Sequence, residues 1–177
     1  AQQIVSRLDT LSNASVDDMK SVQLDYTSLF AKEITPYFLS VNITQENEKI
    51  NKSMEILKDW NFVETPDSKG ALIFHSILRQ LVIELFGDEL SLLGDKYLEA
   101  FTSMKYLHSR SLRKILADGS SSWVDDIRTK EKIETLEEVL KKSFINGIED
   151  IENIVGHNMK NWEWGRAHYL KHEHKMG

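Results

Sequence analysis

The chain has 177 residues, 41% hydrophobic and 28% charged, which is enough apolar content to close one ordinary domain and too much for a disordered segment. Two prolines and eight glycines are too few for a sandwich of many short strands, and the absence of cysteine excludes a disulfide scaffold, a thiol nucleophile, a thiolate zinc site and an iron–sulfur cluster. With 22 basic against 28 acidic residues and a net charge of −6, the chain lacks the basic stripe that neutralises phosphates, so no nucleic-acid partner is expected.

The elements read as helix after helix. Ile4, Leu8 and Leu11 share one helical stripe. Ser15 has the chemistry of an N-cap with Asp18 as its capping-box partner, and Asp17 suits the first turn. The spacing of Met19, Val22, Tyr26, Leu29 and Phe30 predicts one helix face, with a kink or stop at Pro36. A third helix starts at Thr44, carries Ile50, Met54 and Leu57, and ends around Trp60, Asn61 and Phe62. Residues 64–70 have turn chemistry. The segment 71–86 is apolar on more than half its surface and predicts the central helix. Short helices are expected at 88–93, 95–102 and 105–117, with Gly87, Gly94 and Gly119 as punctuation. Ser120 to Asp126 reads as a loop with one aromatic anchor, Trp123. A long helix is expected from about Lys130 to Val155, with Ile133, Leu136, Leu140, Phe144, Ile148, Ile151 and Val155 as its stripe. Gly147 inside it points to a close helix contact, and Gly156 is a fitting C′ residue.

The last segment departs from this pattern. Trp162, Trp164, Arg166, His168 and Leu170 alternate with Glu163, Gly165, Ala167 and Tyr169, which predicts a strand or extended arm. A lone strand leaves its backbone groups unpaired, so the arm needs a partner sheet that these residues do not supply. The expected architecture is all-α, a multi-helix orthogonal bundle over 1–160, with an extended aromatic and histidine-rich tail over 161–177. No apolar run approaches the ~18–20 residues of a membrane span, so no membrane partner is expected. The start, Ala-Gln-Gln-Ile, has neither the basic nor the apolar region of a signal peptide; without an initiator methionine it reads as a processing site or a boundary.

Catalytic constellations are sparse. His168 and His172 are four apart and His174 follows; with Glu173 as the one carboxylate in the group, solvent-exposed and structural histidines outweigh a metal site. Asp17/Asp18 suit a helix start. Glu137 and Glu138 suit a solvated face with Lys141 and Lys142 at i+4. Asp125/Asp126 in the Trp123 loop are the best carboxylate pair, weighed against loop capping or an ion pair. There is no Gly-x-Ser-x-Gly elbow, no glycine-rich phosphate loop and no HExxH. The residues alone describe a helical domain with an aromatic tail and no active site.

Trp162-Glu163-Trp164-Gly165-Arg166-Ala167-His168, followed by His174 and Gly177, resembles the W-x-W-G-x-x-H…H-P-x-G signature of the penicillin acylase (penicillin amidase) family. Asp18-Met19 through Gln23 and Asp25 looks like that family's D-M-x-x-x-Q-x-D helix. Ala31 to Pro36 looks like its A-x-x-x-x-P continuation, Leu57 to Trp60 like its L-x-x-W helix end, and Trp123 to Asp126 like its W-x-D-D loop. Lys175 stands where the family usually has proline.

The resemblance implies an N-terminal nucleophile hydrolase made as a precursor, in which a serine at the start of a β subunit cleaves an amide through an acyl-enzyme. Members deacylate penicillins, cephalosporin side chains and acyl-homoserine lactones, many are periplasmic, and several bind calcium. By the same resemblance the oxyanion-hole asparagine and the calcium site lie upstream of the matched region, and a pocket arginine falls close to Gln3. The chain is then a piece of the helical part of a β subunit, inactive alone, with no cofactor of its own and the remainder of a parent α/β acylase as its partner. Trp162, Trp164 and Gly165 are expected as packing residues, His168 as a buried hydrogen-bonding residue, and Trp123 and Asp126 as structural. An excised piece is expected to expose apolar surface that could drive a non-physiological dimer. The alternative is an independent helical interaction module.

Overall fold

The computed structural model describes residues 2–43 and 47–170, with side chains omitted at 105–107. The protein is all-α over these residues. Its helices are α1 (Gln2–Leu8), α2 (Val16–Gln23), α3 (Leu29–Ser40), α4 (Glu48–Asp59), α5 (Lys69–Leu93), α6 (Asp95–Ser103), α7 (Lys105–Asp118), α8 (Leu136–Ile154) and α9 (Trp164–Ala167), with single 3₁₀ turns at Ser122–Val124 and Met159–Asn161. One isolated antiparallel bridge, Thr27 to Val63, is the sole sheet-type pairing among the described residues.

The core is α5 packed along α8, with α3, α4 and α6 against them. Both interior faces are aliphatic and aromatic: Ile73, Phe74, Ile77, Leu81 and Leu85 on α5 meet a core that includes Leu140, Phe144, Ile148 and Ile151 on α8. Gly147 makes the closeness possible. A Cβ there would lie 2.8 Å from both Cα and N of Ile77, so the two backbones pass where no side chain fits. Paired side chains edge the seam: Lys142 to Glu84 at 2.7 Å and Arg79 to Asp150 at 2.8 Å.

Several boundaries differ from the sequence reading, each for a local reason. The stripe from Met19 to Phe30 is divided between α2 and α3, because Ser28 caps Ala31 N–H and its own N–H donates to Phe62 O at 2.8 Å. α3 runs through Pro36 to Ser40; the buried Ile34, Thr35 and Phe38 on either side hold the helix across the missing donor. Asn47, not Thr44, caps α4, and Thr44 lies outside the described residues. α5 continues through the buried Gly87 to Leu93 as one helix of 25 residues. By length and composition α5 could cross a membrane, contrary to the sequence reading, but 67% of its most apolar window is buried inside the protein, as befits a core helix.

α8 begins at Leu136, not near Lys130, under a Thr135–Glu138 capping box, and Ile133 is 80% exposed. Glu138 therefore serves the cap and pairs with Lys132 at 2.9 Å, while Lys142 reaches Glu84; of the two expected i+4 pairs only Glu137–Lys141 forms, at 2.8 Å. The Ser15–Asp18 capping box is present as expected.

The tail also departs from its expected form. Trp162, Glu163 and His168 have extended backbones, but Trp164–Ala167 closes one helical turn. The alternation is produced by two anchoring indoles spaced across that turn, not by a strand. Residues 171–177, with His172 and His174, lie outside the described residues.

Candidate functional site

The signature residues converge where the tail crosses the start of α5. Ser68 caps that helix by accepting from Ala71 N–H at 3.1 Å. Its carbonyl then accepts from Trp164 N–H at 3.2 Å, and Pro66 O accepts from Gly165 N–H at 2.7 Å. Gly165 packs tightly on Pro66, since a Cβ there would lie 3.1 Å from Pro66 Cβ and 3.2 Å from Pro66 O. Trp162 is wholly buried in the core formed by the helices, and its indole N–H donates to Gly156 O at 2.9 Å, which satisfies the one polar atom such a side chain carries.

Trp164 is half-buried and sits in a stack of rings. Its centroid lies 4.4 Å from His75 with planes 19° apart, and 4.6 Å from His168 with planes 4° apart. His75, from the second turn of α5, places Nε2 2.9 Å from Glu64 Oε1. Tyr26, Glu64, Pro66, Trp164, Gly165 and His168 line a cleft of about 530 Å³. No serine, lysine or arginine is among these six, and the His75–Glu64 pair reaches the cleft through Glu64. In this chain His168 is exposed and stacked on Trp164; its expected burial belongs to the parent sheet, which these residues do not include. Sequence reasoning missed His75 and Glu64, which lie in no recognisable motif and meet Trp164 only through the fold.

The Trp123 loop is a second assembly. Trp123 packs its ring 5.2 Å from Phe86. Asp126 forms a two-point ion pair with Arg128 at 2.7 and 2.6 Å, and the guanidinium holds its carboxyl down to about 2. Asp126 N–H donates to Glu134 at 3.0 Å, and Ile127 N–H donates to the buried Asp88 carboxylate at 2.8 Å. Asp126 is thus occupied in closing its own loop and Asp88 in tying that loop to α5. Glu89, beside Asp88, is pushed up to about 7 by burial and by that neighbour. No three histidine, aspartate or glutamate side chains among the described residues come together to hold a metal.

A profile described as penicillin amidase matches residues 1–177. The chain belongs to the penicillin amidase family. It is similar to acyl-homoserine lactone acylase QuiP of Pseudomonas fluorescens strain Pf0-1, with 24% identity over 97% of this chain and 23% of that protein. QuiP of Pseudomonas aeruginosa is 23% identical over 95% of this chain and 21% of its own length, and QuiP of Pseudomonas syringae pv. syringae 22% over 92% and 22%. The chain spans about a fifth of the length of these relatives. No solved structure matches it. In this penicillin amidase chain, the resembling residues do packing work: Asp18 caps α2, Trp60 and Trp162 lie in the core, Trp164 and Gly165 dock the tail, and Asp126 closes a loop.

Proposed function

We propose that this chain is the helical part of an amidohydrolase of the penicillin amidase type, and that it serves as scaffold for chemistry carried elsewhere in the polypeptide. The observation that carries this reading is the family match across 1–177 in a chain whose signature side chains are spent on caps, ring stacks and backbone docking. In this reading the parent protein hydrolyses a linear amide C–N bond. An N-terminal serine outside this chain attacks the carbonyl, an oxyanion hole stabilises the tetrahedral intermediate, and water releases the acyl-enzyme. The names of the relatives make N-acyl-homoserine lactones the first amides to test. A periplasmic or secreted location follows from the same family reading.

The test is amide hydrolysis by this chain and by the full polypeptide that contains it, on acyl-homoserine lactones of graded acyl length and a chromogenic phenylacetyl amide. Turnover by the full polypeptide and none by this chain is the expected result. Hydrolysis by this chain alone would overturn the scaffold reading and direct mutagenesis to the His75–Glu64 pair.

A further inference from the structure

α1 is attached inside out. A surface helix ordinarily turns its apolar stripe to the core and its polar side to water. Here the polar side makes the contacts: Gln3 donates to Asp25 at 2.9 Å, and Arg7 donates to Asp25 at 3.2 Å and to Ser21 at 3.1 Å. The Asp25 side chain is 7% exposed. It also accepts from Thr27 N–H at 2.9 Å. These bonds, that from Thr27 first, hold its carboxyl well below the usual carboxylate range. The apolar side faces solvent. Ile4 is 51%, Val5 55% and Leu8 39% exposed, and α1 has no buried residue. Val16, Met19 and Leu24 of the adjoining segment are exposed as well.

A helix of seven residues is too short to hold itself together in water, and an ion pair with an exposed arginine adds little. Its aliphatic side therefore lacks the burial that ordinarily stabilises such an element. The structure assigns that side to a docking surface, and we propose that its occupant is an apolar face of the portion of the same polypeptide that this chain does not contain. This inference rests on the scaffold reading above. Two observations favour this occupant over a second copy. About four-fifths of the length of the relatives has no counterpart here. The six side chains, 39% to 73% exposed, offer on the order of 500 Å², short of the roughly 800 Å² that each partner in a stable complex buries. A surface that small is insufficient for two free molecules, but it suffices when the chain itself supplies an effective concentration of about millimolar.

Amide hydrogen exchange in the full natural polypeptide tests the assignment. The α1 amides are expected to exchange at least about ten-fold more slowly than those of an open helix, independent of protein concentration. Ile4→Glu with Leu8→Glu should abolish that protection while leaving the amides of α5 and α8 unchanged, which shows that the variant folds. Ile4→Val with Leu8→Met should retain it. Open-helix exchange in the wild type, or protection untouched by the glutamates, overturns the proposal. Protection that rises with concentration, with a dimer that the glutamates dissolve, overturns it in favour of a second copy. The hydrolysis assay is read separately: turnover without α1 protection defeats the docking surface alone, and α1 protection without turnover defeats the amidohydrolase reading alone.

Discussion

α1 carries one apolar stripe and α5 is apolar over more than half its surface, and the fold treats them in opposite ways. α5 is surrounded: Phe74, Ile77, Leu81 and Leu85 are inaccessible, and even its polar Gln80 and Asp88 are buried. α1 is bound by Gln3 and Arg7 and buries nothing. The difference teaches that an apolar stripe specifies that a helix will be covered, but not by what. Where the covering segment lies within these residues, the stripe becomes core; where it does not, the stripe stays at the surface.

Perturbing the buried side should be costly, and each step outward less so. The largest effect is expected from Trp162→Ala, which removes an inaccessible indole and its bond to Gly156 and should cost about 3–5 kcal/mol in urea unfolding. Gly147→Ala comes next. Its gain in helix propensity of about 1 kcal/mol is outweighed by a methyl group 2.8 Å from the Ile77 backbone, for a net loss of roughly 2 kcal/mol. Trp164→Ala should cost about 1–2 kcal/mol, since the residue is half-buried and loses two ring contacts; a loss as large as that at Trp162 would make the tail part of the core.

Smaller still is the effect of Glu89. Its folded-state pKa of about 7 lies above the ordinary 4.5, so the folded protein keeps a proton that the unfolded chain releases. This group's contribution makes stability fall as pH rises from about 4.5 to 7, with the full penalty above 7. Glu89→Gln should remove that slope and stabilise the protein at pH 8 by about 1 kcal/mol, as thermal unfolding across pH would show. The smallest change is expected from Ile4→Glu with Leu8→Glu in this chain alone, within about 0.5 kcal/mol in urea unfolding because nothing buried is altered. A loss near that of Gly147→Ala would remove the contrast between the two regions.

Much of the architecture was legible in advance. Helical periodicity marked the central helix, the Ser15–Asp18 cap and the close contact at Gly147, because each rests on spacing or on a residue type with few uses. Local reading failed at Gly87 and at the start of α8, and of the kink or stop expected at Pro36 the stop does not occur, because packing or a cap outside the stripe decided the boundary. It also failed in the tail, where alternating indoles mimic a strand. The candidate site was half visible: Trp162, Trp164 and Gly165 stood out as a signature, whereas His75 and Glu64 carry no local mark.

By itself, then, the sequence determined an all-α chain, the Ser15–Asp18 capping box and its membership of a family, since these depend on neighbours along the chain and on motif identity. Only the tertiary structure decided that Trp164 lies between His75 and His168, that Asp88 on α5 holds the Trp123 loop through Ile127 N–H, and that α1 shows its apolar side to solvent. Those outcomes depend on which surfaces meet in space, and contact between residues tens of positions apart leaves no periodic trace in either segment.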